Sequence, residues 1–215
     1  MKYTSDQYAD KKKQVILREA IKLFNRYGYQ KTTTADIAGS VGLVKGGLYN
    51  YFDSKEEIYL EALKKEMEEL RNYTSKFIDP SWPSVNNLMQ YFLRTYEQIN
   101  KNEFLQSFIK GSYPKQSTDL TALIKKYHKE AVETLERIIL VGNQDMTFQV
   151  DNPRLAAHCL LTQFIAILKL EWDLEDNFSQ SETIYFLLET LCSGLSNKRD
   201  WRKGHKSPDW WRANR

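Results

Sequence analysis

The stretch that decides the fold is TTTADIAGSVGLVKGGLYNYFDSKEEI, residues 32–58. Thr32, Thr33 and Thr34 are each able to cap a helix amino end, and Asp36 follows where an acid suits the helix dipole. Ile37, Ala38 and Val41 give that short helix one apolar edge. Gly42-Leu43-Val44 supplies a tight turn, and a second short helix is expected from Lys45 to about Phe52. Two short helices joined by a glycine-containing turn form a helix-turn-helix, although similar pairs occur in proteins that never touch DNA.

The second helix tells more. At about 100° per residue, Leu48 and Phe52 fall on one side and must face a core. The opposite side then presents Gly46, Gly47 and Asn50, flanked by Tyr49 and Tyr51. Each glycine in a helix costs roughly 0.5–1 kcal/mol relative to alanine. That cost makes sense where the backbone must approach something closely, such as the floor of a major groove. Asn50 can donate and accept at a base edge, with adenine its best geometric match, and the tyrosine hydroxyls can reach phosphates. Ser54 with Glu57 reads as a capping box that opens a long helix. Lys55, in its first turn, opposes the dipole unless a phosphate lies there, when amides and ammonium would point at one anion.

Working outward, almost every segment has helical period. Ile16, Ala20, Leu23, Phe24 and Tyr27 make one stripe, and Gly28 suits a left-handed cap behind it. Asp151-Asn152-Pro153 reads as a cap with proline in the first turn, opening an apolar helix over 152–172. A last helix over 179–196 carries Ile184, Leu187, Leu188, Leu191 and Leu195. Breaks are expected at 28–31, 42–44, 53–54, 79–83, 111–115, 143–150 and 173–177. No stretch alternates long enough to make a strand, so the chain is predicted to be all-α with about nine helices.

Charge is uneven along the 215 residues. Residues 1–55 hold 10 Lys and Arg against 5 Asp and Glu. Residues 56–196 hold 14 against 21, and residues 197–215 hold 7 against 2. A polyanion would be met at the two ends and not along the middle. These limits also serve as expected domain bounds: a DNA-binding domain 1–55, a helical body 56–196 and a basic tail 197–215 containing Trp201, Trp210 and Trp211.

Several function classes are disfavoured. The amino end has no apolar h-region, and the most apolar run, Cys159 to Leu170, contains Gln163 and Lys169 and is too short to span a bilayer. A cytoplasmic protein without membrane contact is expected, and Cys159 and Cys192 suit a reducing compartment. There is no Gly-x-Ser-x-Gly elbow, Walker A loop or Gly-x-Gly-x-x-Gly, and His128, His158 and His205 have no ligand spacing with the cysteines. No catalytic residue, metal or cofactor is therefore expected.

Residues 11–60 closely resemble the DNA-binding domain of the tetracycline-repressor (TetR) family. The pattern recurs as Ala20-Ile21-x-Leu23-Phe24, Tyr27-Gly28-Tyr29, Thr32-Thr33, Asp36-Ile37-Ala38, Val41-Gly42, Lys45-Gly46, Leu48-Tyr49-x-Tyr51-Phe52 and Ser54-Lys55-Glu56. The resemblance implies DNA contacts at Lys45, Gly46, Gly47, Tyr49, Asn50, Tyr51 and Lys55, with Thr33 or Thr34 touching the backbone. One position departs: members often carry Ser or Thr where this chain has Val44, which cannot cap the recognition helix.

The resemblance further implies a homodimeric regulator, usually a repressor, that binds a palindromic operator on double-stranded DNA and is released by a small molecule. Leu160, Phe164 and Ile167, with Leu187, Leu188, Leu191 and Leu195, are the expected dimer surface. The middle of the chain holds nine aromatics between Tyr73 and Tyr113, which would suit a flat or greasy effector but equally a plain core. Phe77, Phe92, Tyr96, Phe108, His128 and Phe164 are the candidate pocket residues. Two other readings stay open: a body that senses a partner protein, or a helical scaffold or enzyme whose DNA module is vestigial.

Overall fold

The computed structural model describes residues 5–169 and 180–195. The expected break at 173–177, the tail 197–215 and the side chain of Leu191 lie outside the described residues. Nine helices occur among the described residues: α1 Ser5–Lys31, α2 Thr34–Ser40, α3 Lys45–Leu48, α4 Lys55–Ser75, α5 Ser84–Lys101, α6 Glu103–Ile109, α7 Thr118–Gln144, α8 Pro153–Lys169 and α9 Gln180–Leu195. The chain is all-α, as its periodicity predicts.

The helices group into two compact units. The first combines residues up to Thr74 with Thr95–His128, and the second combines Ser75–Arg94 with residues from Lys129 onward. The helix-turn-helix residues therefore share their unit with α4, α6 and parts of α5 and α7, instead of forming a unit that ends at residue 55. The reason is visible in the aromatic core of the first unit. Phe24, Tyr29, Tyr59 and Phe104, drawn from α1, α4 and α6, pack with ring centroids 5.1–6.3 Å apart. Cutting the chain at 55 would open that cluster.

Gly28 interrupts α1 with φ 77° and ψ 161°. A positive φ is cheap for glycine alone, and it redirects the chain. Tyr27, just before that break, is 48% exposed, so the inward stripe does not run through it. The stripe passes to Tyr29, which is 8% exposed. The break between α5 and α6, at residue 102, is not among those expected above. Asn102 leaves helical geometry at φ −115°, ψ 97°, and its side chain accepts from the Leu105 amide. An asparagine followed by Glu103 is the usual entry signal.

In the second unit, Phe92 and Phe164 pack with centroids 5.0 Å apart, and Leu88, Leu135, Ile139, Ile184 and Leu188 are buried around that core. The end of α7 turns sharply: the Asn143 amide donates to the Val150 carbonyl at 2.7 Å and accepts from its N–H at 3.1 Å. The turn brings Phe148, 2% exposed, against Gly142. Asn152 then caps α8 through the Leu155 amide at 3.0 Å, with Pro153 first in the helix.

A methyl group at Gly142 would lie 2.1 Å from Phe148 Cδ2 and 2.9 Å from its Cγ. Alanine normally stabilises a helix interior by roughly 1 kcal/mol, but forcing a buried ring aside costs typically about 1–3 kcal/mol. The clash outweighs the propensity gain, so Gly142→Ala should lower the thermal midpoint. A midpoint equal to or above that of the parent would show that Phe148 yields freely.

Candidate nucleic-acid interface

The module is built by local hydrogen bonding before any packing. Thr33 is the N-cap of α2: its hydroxyl accepts from the Asp36 amide at 3.1 Å, and the Asp36 carboxylate accepts from the Thr33 N–H at 2.9 Å. The hydroxyl and backbone N–H of Thr33 hold the Asp36 carboxyl below the usual carboxylate range. Thr32 turns inward, where its hydroxyl donates to the Gly28 carbonyl at 2.9 Å. Thr34 is the first residue of α2. The three threonines thus divide the labour: Thr32 closes α1, Thr33 caps α2 and Thr34 begins it.

Regular α3 geometry ends at Leu48, earlier than the expected Phe52. Tyr49, Asn50 and Tyr51 form the turn that follows, although the Tyr51 and Phe52 amides still donate to the Leu48 carbonyl at 2.9 and 3.2 Å. Val44 at the N-cap makes no side-chain capping bond, and two of the four helical residues are glycine. A missing cap typically forgoes about 1 kcal/mol, so little favours extending the helix. What holds it is its inward side: Leu48 and Phe52 are 0% and 3% exposed, on the face the wheel assigned to the core.

The outward side is open. Lys45, Gly46, Tyr49 and Asn50 are exposed, while Gly47 and Tyr51 are half-buried. A methyl group built on Gly47 would touch Leu43 and Val44 at about 3.8 Å, whereas one on Gly46 would meet nothing within 4 Å. The protein's own packing therefore gives no reason for a glycine at 46.

Lys55 has an occupation that the sequence did not reveal. Its ammonium donates to the Tyr29 carbonyl at 2.8 Å and the Thr32 carbonyl at 2.9 Å, and lies 4.2 Å from the centroid of the Tyr29 ring. It sits at the first turn of α4, as expected, and it also holds the carbonyls that close α1. Desolvation there pulls its pKa below the usual lysine value. Burial, with Glu56 nearby, raises that of Tyr29, and burial drives Tyr59 well above the ordinary phenol value. Tyr59 donates to the Ser112 carbonyl at 3.1 Å, and the Tyr29 amide donates to the Ser112 hydroxyl at 3.4 Å. These bonds seat the module on the loop after α6.

Two lysines not singled out in the sequence also border the module. Lys12 donates to the Val41 carbonyl at 3.0 Å, at the end of α2, and Lys13 lies 5.5 Å from the Phe52 ring centroid. The signal available was the run Lys11-Lys12-Lys13 in α1.

The other candidates are placed as follows. Phe77, Phe92 and Phe164 belong to the second unit, and Tyr96, Phe108 and His128 to the first. Phe92 and Phe164 are 0% and 2% exposed and face each other as core. Arg94 lies 4.5 Å from the Phe77 ring centroid, and Phe108 packs on Tyr113 at 5.5 Å. Leu160, Phe164 and Leu188 point into their own protomer at 3%, 2% and 1% exposure, so they have no surface left for a partner chain. Ile167, Leu187 and Leu195 are half-buried. The described residues include no cluster of three or more His, Cys, Asp or Glu able to hold a metal ion, and no helix long and apolar enough to cross a membrane.

Lys55→Ala should cost stability even in the absence of DNA. Hydrogen bonds to a charged group are typically worth about 1.5–3 kcal/mol, and two backbone acceptors would lose their donor. Thermal denaturation of the free protein reads this directly. An unchanged midpoint would mean the ammonium contributes nothing without DNA.

Comparison with known proteins agrees with this geometry. Residues 16–62 match the model of bacterial regulatory proteins of the tetR family. An HTH-type transcriptional regulator, YhgD of Bacillus subtilis, is 24% identical over 186 residues, covering 86% of this chain and 97% of the relative. IcaR of Staphylococcus aureus, the HTH-type negative transcriptional regulator of the biofilm operon icaADBC, is 32% identical over 131 residues, covering 55% of this chain and 70% of the relative. Among solved structures, the fatty acid degradation regulator FadR of Bacillus halodurans has the same fold, with a TM-score of 0.71 at 17% identity over 91% of this chain and 98% of that one. A transcriptional regulator from Cytophaga hutchinsonii gives 0.69 at 21% identity over 86% and 98%. With its capped α2, its short recognition helix and these relatives, the chain belongs to the TetR family of DNA-binding transcriptional regulators.

Proposed function

We propose that the protein is a homodimeric repressor that reads a palindromic operator through α3 and the turn behind it, and that a small hydrophobic or aromatic effector releases it. The observation that carries the reading is the exposed edge of Lys45, Gly46, Tyr49 and Asn50, with open space where a Gly46 side chain would stand. In this reading Asn50 meets a base edge, Gly46 lets the backbone approach the groove, and Lys45, Tyr49, Tyr51 and the Thr33–Thr34 corner meet phosphates. Gly47, where a methyl group would make only ordinary contact with the turn before it, also leaves the backbone open to the groove. Lys12 and Lys13 add positive charge beside this surface. Repression is favoured because IcaR, the relative at 32% identity, is a negative regulator. The aromatic residues of the helical body support the effector class, and a cytoplasmic site of action follows from the DNA partner. Sequencing genomic fragments retained by the purified protein tests the assignment.

The reading separates Gly46 from ordinary surface positions. Gly46→Ala should leave stability unchanged or raise it by up to about 1 kcal/mol. Operator affinity should fall by about 1–3 kcal/mol, the range of a lost base contact. Thermal denaturation and a binding titration on one preparation check both. Undiminished affinity would show that nothing approaches that backbone.

The dimer surface in this proposal is the outer face of α8 and α9, not the inner one. Leu155, Cys159, Thr162 and Ala166 are exposed at helical spacing on α8, and Phe186, Thr190 and Gly194 on α9. Pairing by a two-fold axis would set two recognition helices one turn of B-DNA apart, roughly 34–36 Å, or a multiple of it. Phe186 is 70% exposed in the protomer, so Phe186→Asp should cost the protomer little while yielding a monomer in sedimentation at micromolar concentration. A dimer of undiminished strength would place the interface elsewhere.

A further inference from the structure

The recognition segment carries one apolar side chain that the reading above does not use. Val44 is 79% exposed, more open than Phe186 and Met146 at 70%. It stands with extended backbone, φ −75° and ψ 154°, directly before Lys45 and makes no capping bond. A hydroxyl or carboxylate here would satisfy an α3 amide, and valine, among the poorest residues at that position, offers only an isopropyl group to water. The surroundings are those of a reading surface: Lys45 and Gly46 follow it, Tyr49 and Asn50 are exposed just beyond, and nothing in the protein stands over Gly46.

We infer that Val44 is a specificity residue that packs against the 5-methyl group of a thymine in each operator half-site. Thymine is the one base that presents a methyl in the major groove, and an apolar side chain is its natural partner. The contact removes apolar area from water on both sides. It also gives the missing cap a counterpart: the position trades a local hydrogen bond within the protein for discrimination between thymine and cytosine. The lysine and asparagine beside it cannot make that distinction, because neither recognises a methyl group. This inference rests on the DNA-reading assignment proposed above.

Deoxyuridine differs from thymidine by that methyl alone, and so isolates the contact. A duplex selected from genomic fragments would be resynthesised with each thymine replaced in turn, and affinities measured for the parent, Val44→Ala and Val44→Ser. For the parent, one position in a half-site should lose about three- to fivefold on replacement, the ratio expected for one buried methyl-sized group. Val44→Ala should bind the thymine duplex more weakly and lose less than the parent on the replacement there, since one methyl reaches the base less fully. Val44→Ser should be indifferent to the replacement while denaturing at a higher temperature, because it restores a cap. A parent insensitive at every thymine, or variants that keep the parent's sensitivity, would overturn the role of Val44 and leave DNA reading intact. Failure to select any duplex would remove the DNA-reading assignment itself.

Discussion

The clasp of Lys55 on the carbonyls of Tyr29 and Thr32 is the contact on which the arrangement of the first unit depends. A helix ends with carbonyls that have no internal partner and with the negative pole of its dipole. Here a single ammonium answers both needs, and it is delivered from the first turn of a different helix. The bond therefore fixes the start of α4 against the end of α1, with the short α2 and α3 enclosed between them. Gly28 makes the geometry possible, since its positive φ turns the last residues of α1 toward Lys55. Tyr29 then contributes its carbonyl to the lysine, its ring to the same cation and its amide to Ser112.

Much of this could be read from residue types alone. The cap at Thr33, the glycine turn, the inward pair Leu48 and Phe52 and the proline start of α8 are local features, governed by bonds within four residues of one another. Where the sequence misled, the controlling partner was distant in the chain. Lys55 gave no sign of its clasp because its acceptors lie 23 and 26 residues earlier. Tyr27 looked buried because the stripe was carried to the last residue before the break, where Tyr29 takes the inward place instead. Leu160, Phe164 and Leu188 looked like interface because apolar density says that a helix is buried and not by what. Only the packing of α8 beside α9 distinguishes the inner stripe from the outer one.

The candidate pocket illustrates the same limit. Aromatic density between Tyr73 and Tyr113 is real, yet the residues it nominated divide between the two units, and Phe92 and Phe164 pack against each other. Density alone carries no information about which rings surround a space and which fill one.

The shortness of α3 has an evolutionary consequence. Its inward anchors, Leu48 and Phe52, carry the packing, while Val44, Lys45, Gly46, Tyr49 and Asn50 face outward. Selection for folding and selection for base preference therefore act on separate side chains of one small segment. Duplicated copies of such a gene could drift at the outward positions, and so part company over which promoters they govern, without passing through an unfolded intermediate. One turn of helix held by two buried side chains is a small enough element for that drift to take few mutational steps.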